Sequence, residues 1–512
     1  MTSKHILLHT VPGWGHVKPL VALMVFIAEM REDVVLTLPV GLIASRAVEE
    51  LAKLSKERHD KIRERIYVID LPTASLEETL NFEINEGFDR TFTNLYNSGS
   101  FNCVLSGKAV TGLPRPSLAV IDPFAGYAIK SVRSLATPQE IPILSWVPTT
   151  LGWTTRELGP ETLSGLGDFE SKINNEVSKS GTSVFEAALK LYTDARGEVI
   201  RLPGYPPVYD YELVPQDFDY TPAAMVARMA GKHLHRTEGL ISVSTSLVEK
   251  EAIRAFREYF KGLGKDHYLA GFVSSANIPD PCGFNGDEEV KTFLDRIHQE
   301  HGEKSLLYIS FGTFFWPRDP SKVYAAVEEL IQARTPFLFA HASPLGSIPD
   351  DLKTKIHASG IGKEVGWAPQ NAVLQHPATG WFITHGGLNS FQEAFTYKVP
   401  LIFWPMGVDQ PLSAAILTLE HKASFELIAV RTGKGIAQPH RFSGDSREKV
   451  QFTLDGVRAE VRQLLIKIKG EEGKAVRANA ERLSEQISQL WKEGGEARVE
   501  MEHFLRKYLD SL

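Results

Sequence analysis

Short apolar runs rich in β-branched and aromatic residues alternate along this chain with longer stretches of helical periodicity. Such runs, when turn signals bound them, predict buried strands. The predicted strands of the first half lie at 5–10, 34–38, 66–71, 118–122, 141–147 and 239–244. Helical patterns follow the strands, for example at 17–31 and 247–259. This alternation predicts an open, mostly parallel sheet that is covered on both faces.

The same alternation restarts in the second half, where the predicted strands lie at 305–311, 337–340, 381–384 and 399–404. Between the halves, residues 275–287 are rich in Pro, Gly, Asn and Asp, which is a linker composition. We therefore predict an α/β protein with two doubly wound domains. The predicted segments are an N-terminal domain at 1–274, a linker at 275–290, a C-terminal domain at 291–490 and a terminal helix at 491–512.

Two stretches resist assignment from the pattern alone. Residues 73–116 place aromatic side chains among polar ones with weak periodicity, which favours helices and loops over core. Residues 157–230 contain a charged helical stretch and then a passage rich in Pro and Tyr at 202–222, which excludes regular helix there.

Composition narrows the class of protein. A chain of 512 residues exceeds one ordinary core, since domains hold about 100–200 residues. The net charge of −7 argues against nucleic acid or an anionic membrane as main partner. The two cysteines, Cys103 and Cys282, suggest neither a disulfide framework nor a zinc site. We see no signal sequence and no apolar run of about 20 residues, so we expect a cytoplasmic protein without a transmembrane segment.

The predicted strand at 381–384 ends in the turn His385-Gly386-Gly387, and a helical pattern then runs to about residue 397. Glycine lets the backbone approach a ligand closely, and the free N–H groups of a helix start attract phosphate. The sequence therefore predicts an anion site at this turn.

The stretch 367–410 resembles the signature box of the family 1 UDP-sugar glycosyltransferases, called the secondary product box in plants. Such a box opens with Trp, Pro and Gln, continues through His, a Gly turn and Asn-Ser, and ends in Asp/Glu-Gln. The matching residues, in order and at the expected spacing, are Trp367, Pro369, Gln370, His376, Phe382, His385, Gly387, Asn389, Ser390, Glu393, Pro400, Asp409 and Gln410.

The resemblance extends over nearly the whole chain, through Pro12-Gly-Trp-Gly-His16, Ser244 with Glu249, Ser310-Phe-Gly-Thr313 and Gly494-Gly495. It implies the GT-B fold, in which two facing Rossmann-like domains enclose a cleft. The N-terminal domain would bind the acceptor and the C-terminal domain the UDP-sugar, and the helix at 491–512 would cross back to the first domain.

The resemblance also implies a donor site. In it, Trp367 stacks on uracil, His385 helps to hold the diphosphate, and Glu393 bonds the ribose. The implied donor-binding residues are Gly15, Gly312, Thr313, Trp367, Ala368, Gln370, His385, Gly387, Asn389, Ser390, Glu393, Asp409 and Gln410.

Three features of the donor site leave alternatives open. Ser390-x-x-Glu393 also reads as a capping box, in which Glu393 bonds backbone N–H groups in place of ribose. Leu388 stands where the family usually has Trp, which leaves the donor sugar open, although a final Gln favours glucose. No acidic pair for Mg²⁺ stands out, so we expect no metal and no cofactor, with the charge of the diphosphate met by backbone dipoles and His385.

His16 is the candidate general base, because an acceptor hydroxyl is a weak nucleophile and a positioned base contributes about 10²–10⁴-fold. The family's catalytic His occupies this place after the first strand. Asp122 ends the strand at 118–122 and matches the Asp that orients such a base; parallel strand ends share one crevice, so the two can meet. The alternatives are a packing His at a helix start and an Asp that initiates a turn before Pro123.

The acceptor pocket is expected in the less regular first-half segments, and aromatic walls there suit phenols, terpenoids or lipids. Each candidate aromatic is also a candidate core residue. The candidates are Trp14, Phe88, Phe124, Trp146 and Thr149.

The sequence thus favours an inverting, metal-independent glycosyltransferase that moves a sugar, with glucose favoured, from a UDP-sugar to a hydroxyl of a small apolar acceptor. One alternative is a non-catalytic subunit that binds UDP-sugar, which would not need His16 and Asp122. The other is an oxidoreductase, which fits poorly because Gly13-x-Gly15-x-x-Lys18 lacks the third Gly of a dinucleotide fingerprint.

Overall fold

The structure is a computed structural model that describes residues 4–71, 84–273, 284, 287–444 and 449–510. The described residues form two compact units. The first comprises Met1–Leu191, Thr221–Pro281 and Gln489–Leu512, and the second comprises Tyr192–Tyr220 and Cys282–Ser488.

The strands carry mostly apolar residues, as the sequence pattern predicts. In chain order they are β1 (Lys4–His9), β2 (Val34–Val40), β3 (Ile66–Asp70), β4 (Phe101–Cys103), β5 (Lys108–Val110), β6 (Leu118–Ile121), β7 (Ile143–Val147), β8 (Val199–Ile200), β9 (Val208–Tyr209), β10 (Gly239–Ser242), β11 (Asp266–Leu269), β12 (Leu306–Ser310), β13 (Phe337–Ala340), β14 (Gly362–Val365), β15 (Thr379–Thr384), β16 (Leu401–Phe403) and β17 (Ser424–Glu426).

Helices follow most of the longer strands. In chain order they are α1 (Trp14–Met30), α2 (Ala44–Ala52), α3 (Lys56–Ile62), α4 (Glu86–Tyr96), α5 (Gly126–Leu135), α6 (Leu151–Leu158), α7 (Phe169–Ser180), α8 (Val184–Tyr192), α9 (Thr221–Leu234), α10 (Ser246–Gly262), α11 (Glu288–His301), α12 (Ser321–Gln332), α13 (Asp350–Ser359), α14 (Gln370–Gln375), α15 (Leu388–Thr396), α16 (Gln410–Ala415), α17 (Leu454–Lys469), α18 (Glu471–Ile487) and α19 (Glu496–Leu505).

The main sheet of the first unit is parallel, with strand order β11-β10-β7-β6-β1-β2-β3. From β1 the chain winds outward through β2 and β3, and it then returns to pair β6 with the other side of β1. The strand order therefore reverses between β1 and β6. Ligands of doubly wound sheets bind outside the carboxyl ends of the strands at such a switch point.

The sheet of the second unit is also parallel, with order β14-β13-β12-β15-β16-β17. Its switch point lies between β12 and β15. Strands β12 and β15 are buried on both faces, as parallel sheets with helices on both sides require. Both units are thus doubly wound, as the alternation of strands and helices predicts.

The long strands predicted from the pattern are present, and their ends are shifted by one or two residues. The predicted linker at 275–290 lies mostly outside the described residues, although 288–290 open α11. Residues 192–220 differ from the sequence-based assignment, because they group with the second unit although 1–274 was assigned to the N-terminal domain. Among the described residues, no helix combines the length and apolar character needed to cross a bilayer.

The last helix supplies a stability test for the first unit. Phe504 of α19 is fully buried, and its ring lies 5.6 Å from that of Tyr268 on β11. Phe504→Ala is expected to lower the free energy of unfolding by about 3–5 kcal/mol, because the cavity adds to the lost transfer term. Circular dichroism during denaturation measures this loss. Val499→Ala, at a largely exposed position of the same helix, is the control, and equal stability of the two variants would contradict the packing role of Phe504.

Candidate active site

A histidine–carboxylate pair lies at the switch point of the first sheet. Gly13 is the N-cap of α1, so His16 lies in the first helical turn, immediately after the carboxyl end of β1. Asp122 directly follows β6, the neighbour of β1. His16 Nδ1 and Asp122 Oδ2 are 2.7 Å apart. The structure therefore brings the two candidate residues together, although they are 106 positions apart in the chain.

The contact fixes which nitrogen of His16 is basic. An ionised carboxylate only accepts hydrogen bonds, so the proton of the neutral ring lies on Nδ1 and Nε2 keeps its lone pair. The Asp122 side chain is 1% exposed, whereas that of His16 is 28% exposed. The ring is thus held from behind by a buried carboxylate and is still open to solvent, which is the arrangement that a general base needs.

Asp122 is itself held by two further donors. Thr10 Oγ1 donates to Oδ2 at 2.8 Å, and the backbone N–H of Phe124 donates to Oδ1 at 2.9 Å. The second bond is the local turn that an Asp before Pro123 predicts, so this alternative and the orienting contact coexist. Sequence reasoning missed Thr10, and its place at the carboxyl end of β1 was the available signal.

His9 lies close to His16 in the chain, but it is buried and both of its ring nitrogens are hydrogen-bonded within the protein. Nδ1 is 2.7 Å from the carbonyl of Pro39, and Nε2 is 2.9 Å from the hydroxyl of Tyr127. Burial lowers the pKa of His9 to about 4. The ring is therefore neutral near pH 7, with Nδ1 as donor and Nε2 as acceptor.

The candidate acceptor residues separate into two groups. Phe124 lies beside the pair, with its ring 5.1 Å from that of His16. Trp14 is partly exposed and stacks under the guanidinium of Arg46, and Thr149 follows β7. Phe88 and Trp146, in contrast, are fully buried and expose no surface to a ligand. Their assignment to a pocket wall is corrected to core, because β7 is interior to the sheet and Phe88 packs on His9.

In the second unit, the loops after β12 and β15 meet at the switch point. Gly312 has φ +74°, and a Cβ there would lie 2.9 Å from Cε1 of His385. A Cβ at Gly387 would lie 2.5 Å from Nε2 of the same ring. Only glycine permits this approach of both backbones to His385. Thr313 is exposed in the first loop, and Asn389 lies in the first turn of α15.

His385 is neutral, in contrast to the expectation that its charge helps to neutralise a diphosphate. The side chain is buried, and burial lowers its pKa to about 4. His385 therefore has no positive charge near pH 7, and its ring hydrogen-bonds the backbone of Ser310. The N-cap of α15 is Gly387, which has no side chain to bond the backbone N–H groups of the first helical turn, and a helix N-terminus of this kind favours an anion.

Glu393 belongs to a small polar network. Gln370 Nε2 donates to Glu393 Oε2 at 2.8 Å and lies 3.3 Å from Ser390 Oγ. The alternative of a capping box at Ser390 and Glu393 is wrong, because α15 begins at Leu388 and its N-cap is Gly387. Sequence spacing matched the box, but the helix starts three residues earlier than a cap at Ser390 requires. Leu388 is buried.

Trp367, one of the candidate donor-binding residues, has an exposed aromatic side chain. It follows the carboxyl end of β14, and 55% of the residue surface is exposed, whereas the adjacent Ala368 is buried. A large exposed indole beside polar groups is a ready surface for stacking a planar ligand. His376 of the same stretch has a structural contact, since its Nε2 lies 3.1 Å from Asp295 Oδ1.

Asp409 and Gln410 open α16 after a loop that follows β16. Gln410 is buried, and its Oε1 accepts the backbone N–H groups of Met406 and Gly407 at 2.8 and 3.2 Å. These two donors fix the orientation of the amide, so its nitrogen is the group directed elsewhere. Among the described residues, no cluster of three or more His, Cys, Asp or Glu has the arrangement of a metal site. Gly15 lies in the first unit, in the first turn of α1, apart in the chain from the other donor candidates.

The following sequence relatives are glycosyltransferases by name. The family described as "UDP-glucoronosyl and UDP-glucosyl transferase" matches residues 277–433. The UDP-glycosyltransferase eriJ of Hericium erinaceus is 26% identical over 513 residues, which cover 97% of each chain. An anthocyanidin 3-O-glucosyltransferase of Zea mays is 32% identical over 299 residues, which cover 57% of this chain and 56% of the relative.

Solved structures show the same fold. Medicago truncatula UGT71G1 in complex with UDP-glucose has a TM-score of 0.70 at 17% identity and covers 99% of this chain and 98% of its own. Phytolacca americana UGT2 in complex with UDP-2fluoro-glucose and pterostilbene has a TM-score of 0.67 at 19% identity, with coverage of 99% and 100%. With the two doubly wound units, this likeness confirms the predicted GT-B fold class.

Proposed function

We propose that this chain belongs to the family of UDP-glucuronosyl and UDP-glucosyl transferases and that it moves glucose from UDP-glucose to a hydroxyl of a small apolar acceptor, with inversion at the anomeric carbon. Its sequence relatives support the coarser statement, a glycosyltransferase enzyme that uses a UDP-sugar. The choice of glucose, the acceptor class, the residue roles and metal independence are the parts that we propose.

The observation that carries the proposal is the 2.7 Å contact between His16 Nδ1 and the buried carboxylate of Asp122. A subunit that only binds UDP-sugar has no use for a solvent-accessible imidazole whose tautomer is fixed in this way. The contact therefore favours catalysis over the alternative of a non-catalytic subunit.

In the proposed reaction, His16 Nε2 takes the proton of the acceptor hydroxyl. The acceptor oxygen then forms a bond to the anomeric carbon of glucose, and the bond from this carbon to the β-phosphate oxygen breaks. UDP leaves with the electron pair of the broken bond. Attack from the side opposite UDP inverts the anomeric centre. Asp122 stabilises the imidazolium that His16 becomes.

The second unit supplies the proposed donor site. The leaving diphosphate gains negative charge on the terminal phosphate oxygen, and backbone N–H groups at the start of α15 are suited to stabilise it. The neutral ring of His385 packs between the backbones of Gly312 and Gly387 and so supports the loops around the diphosphate. Trp367 stacks on the uracil ring, Glu393 bonds ribose hydroxyls, and Asp409 with Gln410 bonds hydroxyls of the sugar.

The proposed acceptor is a phenol. The anthocyanidin in the name of the Zea mays relative and the pterostilbene bound by the Phytolacca americana protein are both phenols. Phe124 lies against His16 and supplies an aromatic surface beside the base. Terpenoid and sterol alcohols are the other classes that such a wall accommodates.

A product screen tests the proposal. The purified full chain is incubated with UDP-glucose, UDP-galactose and UDP-glucuronic acid against phenolic, terpenoid and sterol alcohols, and products are identified by mass spectrometry. We expect a mass gain of one hexose on a phenol with UDP-glucose, and a β-linked product by NMR. Binding of UDP without any product would favour the non-catalytic alternative, and an α-linked product would contradict inversion.

Trp367→Ala tests the donor half separately. Stacking on a nucleobase is worth about 1–3 kcal/mol, so the KM for UDP-glucose is expected to rise by about 5- to 150-fold while the KM for the acceptor is unchanged. Initial rates at varied UDP-glucose measure the change. Ile466→Ala, at a still more exposed apolar position of the second unit, is the control, and equal KM values for both variants would contradict stacking by Trp367.

A further inference from the structure

The loop at 405–410 carries the two residues proposed to bind the sugar, and its backbone has an unusual conformation. We refer to it as the donor-sugar loop. Val408 has φ +59°, a region in which β-branched residues are genuine outliers. Such a conformation persists only where the surrounding structure holds it in place, and it concentrates at ligand-binding positions.

Within the donor-sugar loop, the Gln410 side chain accepts hydrogen bonds from the backbone N–H groups of Met406 and Gly407 and so helps to hold the loop conformation. These bonds leave the carbonyl groups of the loop to find other partners. Two of them are bonded by side chains from residues 192–220, a segment that we call the strap. The strap belongs to the second unit, as the donor-sugar loop does.

Gln216 of the strap is buried and bonds the loop at its first residue. Its Nε2 lies 3.3 Å from the carbonyl oxygen of Pro405 and 3.2 Å from that of Val430. Its Oε1 accepts from Thr432 Oγ1 at 3.0 Å. The acceptor role of Oε1 fixes the amide orientation, so both donor hydrogens of Gln216 are directed at carbonyl groups.

Tyr220 of the strap bonds the loop one residue later. Its hydroxyl donates to the carbonyl oxygen of Met406 at 3.0 Å, and its ring packs against Gly407. A Cβ at Gly407 would lie 2.7 Å from Cε1 of Tyr220. Any side chain at position 407 would therefore clash with the Tyr220 ring. For the same reason, the peptide between Met406 and Val408 has no room to shift toward the strap.

The strap is anchored independently of the loop. Glu212 accepts from Arg431 at 3.1 Å and from the backbone N–H of His440 at 2.8 Å, and both partners are in the second unit. Tyr211 donates to the carbonyl of Gln438 at 2.6 Å. A strap that is fixed in this way can act as a rigid support.

We propose that Gln216 and Tyr220 are positioning residues that hold the donor-sugar loop in the conformation in which Asp409 and Gln410 meet the hydroxyls of the transferred sugar. The inference rests on the proposed donor-binding role of that loop. Both residues bond the donor-sugar loop, and neither is among the residues proposed to bind the nucleotide, so both are expected to act on affinity for the sugar and to leave affinity for UDP alone intact. Nothing in the residue pattern of 202–222 identified them.

The test compares the binding of UDP-glucose with that of UDP by titration calorimetry on the full chain. Tyr220→Phe removes the hydroxyl and keeps the ring against Gly407. Gln216→Met keeps the side-chain length and removes the donors. Since the loss of one hydrogen bond changes an equilibrium by about three- to tenfold, the Kd of UDP-glucose is expected to rise by at least that factor. The Kd of UDP is expected to change by less than about twofold, because UDP lacks the transferred glucose that the donor-sugar loop is proposed to bind.

Tyr324→Phe is the matched control, because it removes a tyrosine hydroxyl that also donates to a backbone carbonyl of the second unit, that of Ser347, in a bond that involves neither the strap nor the donor-sugar loop. It is expected to change neither Kd. A merely structural role would lower the melting temperature and weaken both ligands equally, or leave both unchanged. Either result for Tyr220→Phe, or an equal shift in Tyr324→Phe, would overturn the inference.

The same titrations separate this inference from the proposed function. A wild-type protein that binds neither UDP nor UDP-glucose overturns the proposed function, and the inference with it. A wild-type protein that binds UDP-glucose and has variants with an unchanged ratio of the two Kd values overturns the inference alone. If Gln216→Met does not fold, Tyr220→Phe still decides, since it retains the packing.

Discussion

Replacing His16 with alanine is expected to lower kcat for sugar transfer by about 10²–10⁴-fold, the usual contribution of a positioned general base. The acceptor hydroxyl would have to lose its proton to water, which is neither oriented by Asp122 nor held beside the anomeric carbon. Because the proposed donor site lies in the second unit, the Kd of UDP-glucose is expected to stay within about twofold. Product formation under donor saturation, with titration of UDP-glucose, measures both quantities.

His235→Ala is the matched control, because His235 is an exposed histidine of the same unit with no proposed role. It is expected to retain wild-type turnover. Unchanged transfer by His16→Ala would remove His16 from the mechanism. Joint loss of transfer and UDP-glucose binding would indicate that the substitution acts on the fold, and the melting temperature would show this.

Asp122→Asn is expected to lower kcat by a comparable factor, about 10²–10⁴-fold, through the tautomer of His16. Asparagine can keep its Oδ1 on the N–H of Phe124, which directs its NH₂ group toward Thr10 and His16. The NH₂ group donates where the carboxylate accepted. His16 Nδ1 must then accept, the ring proton moves to Nε2, and the lone pair needed for the acceptor proton is lost.

Turnover with donor and acceptor at saturation measures this effect, and nitrogen-15 NMR of the histidine rings reports the tautomer. Asp33→Asn is the control, since Asp33 is a carboxylate of the first unit that pairs with Arg31. It immediately precedes β2, at the amino-terminal end of the strand, whereas Asp122 follows the carboxyl end of its strand. Normal turnover in Asp122→Asn would show that Asp122 only shapes the turn at Pro123. A tautomer shift with normal turnover would contradict His16 as base.

The contrast between His16 and His385 shows what burial decides. Both rings lie near the start of a helix that follows a central strand. His16 is part-exposed and bonded to a carboxylate, whereas His385 is enclosed by glycine backbone and has its pKa lowered to about 4. In the sequence, both histidines belong to a glycine-containing turn between a predicted strand and a predicted helix. Their chemistry differs because the second loop folds over its ring.

The sequence alone determined the two doubly wound units, because strand and helix periodicities and glycine turns are local properties of the chain. It also determined the position of the candidate anion-binding turn at His385 and the candidacy of His16 and Asp122. Local patterns cannot show which side chains are enclosed. Phe88 and Trp146 therefore look like pocket residues in the sequence and are core in the structure.

Only the tertiary structure decided the rest. The pairing of β1 with β6 brought His16 to Asp122 across 106 positions. Because α15 begins before Ser390, Glu393 does not belong to a capping box. Gln216 and Tyr220 of the strap bond a loop that lies nearly two hundred residues further along the chain. The physical reason is the same in each case: strand order and helix boundaries are set by packing across the whole unit, and packing is not encoded in any short stretch of sequence.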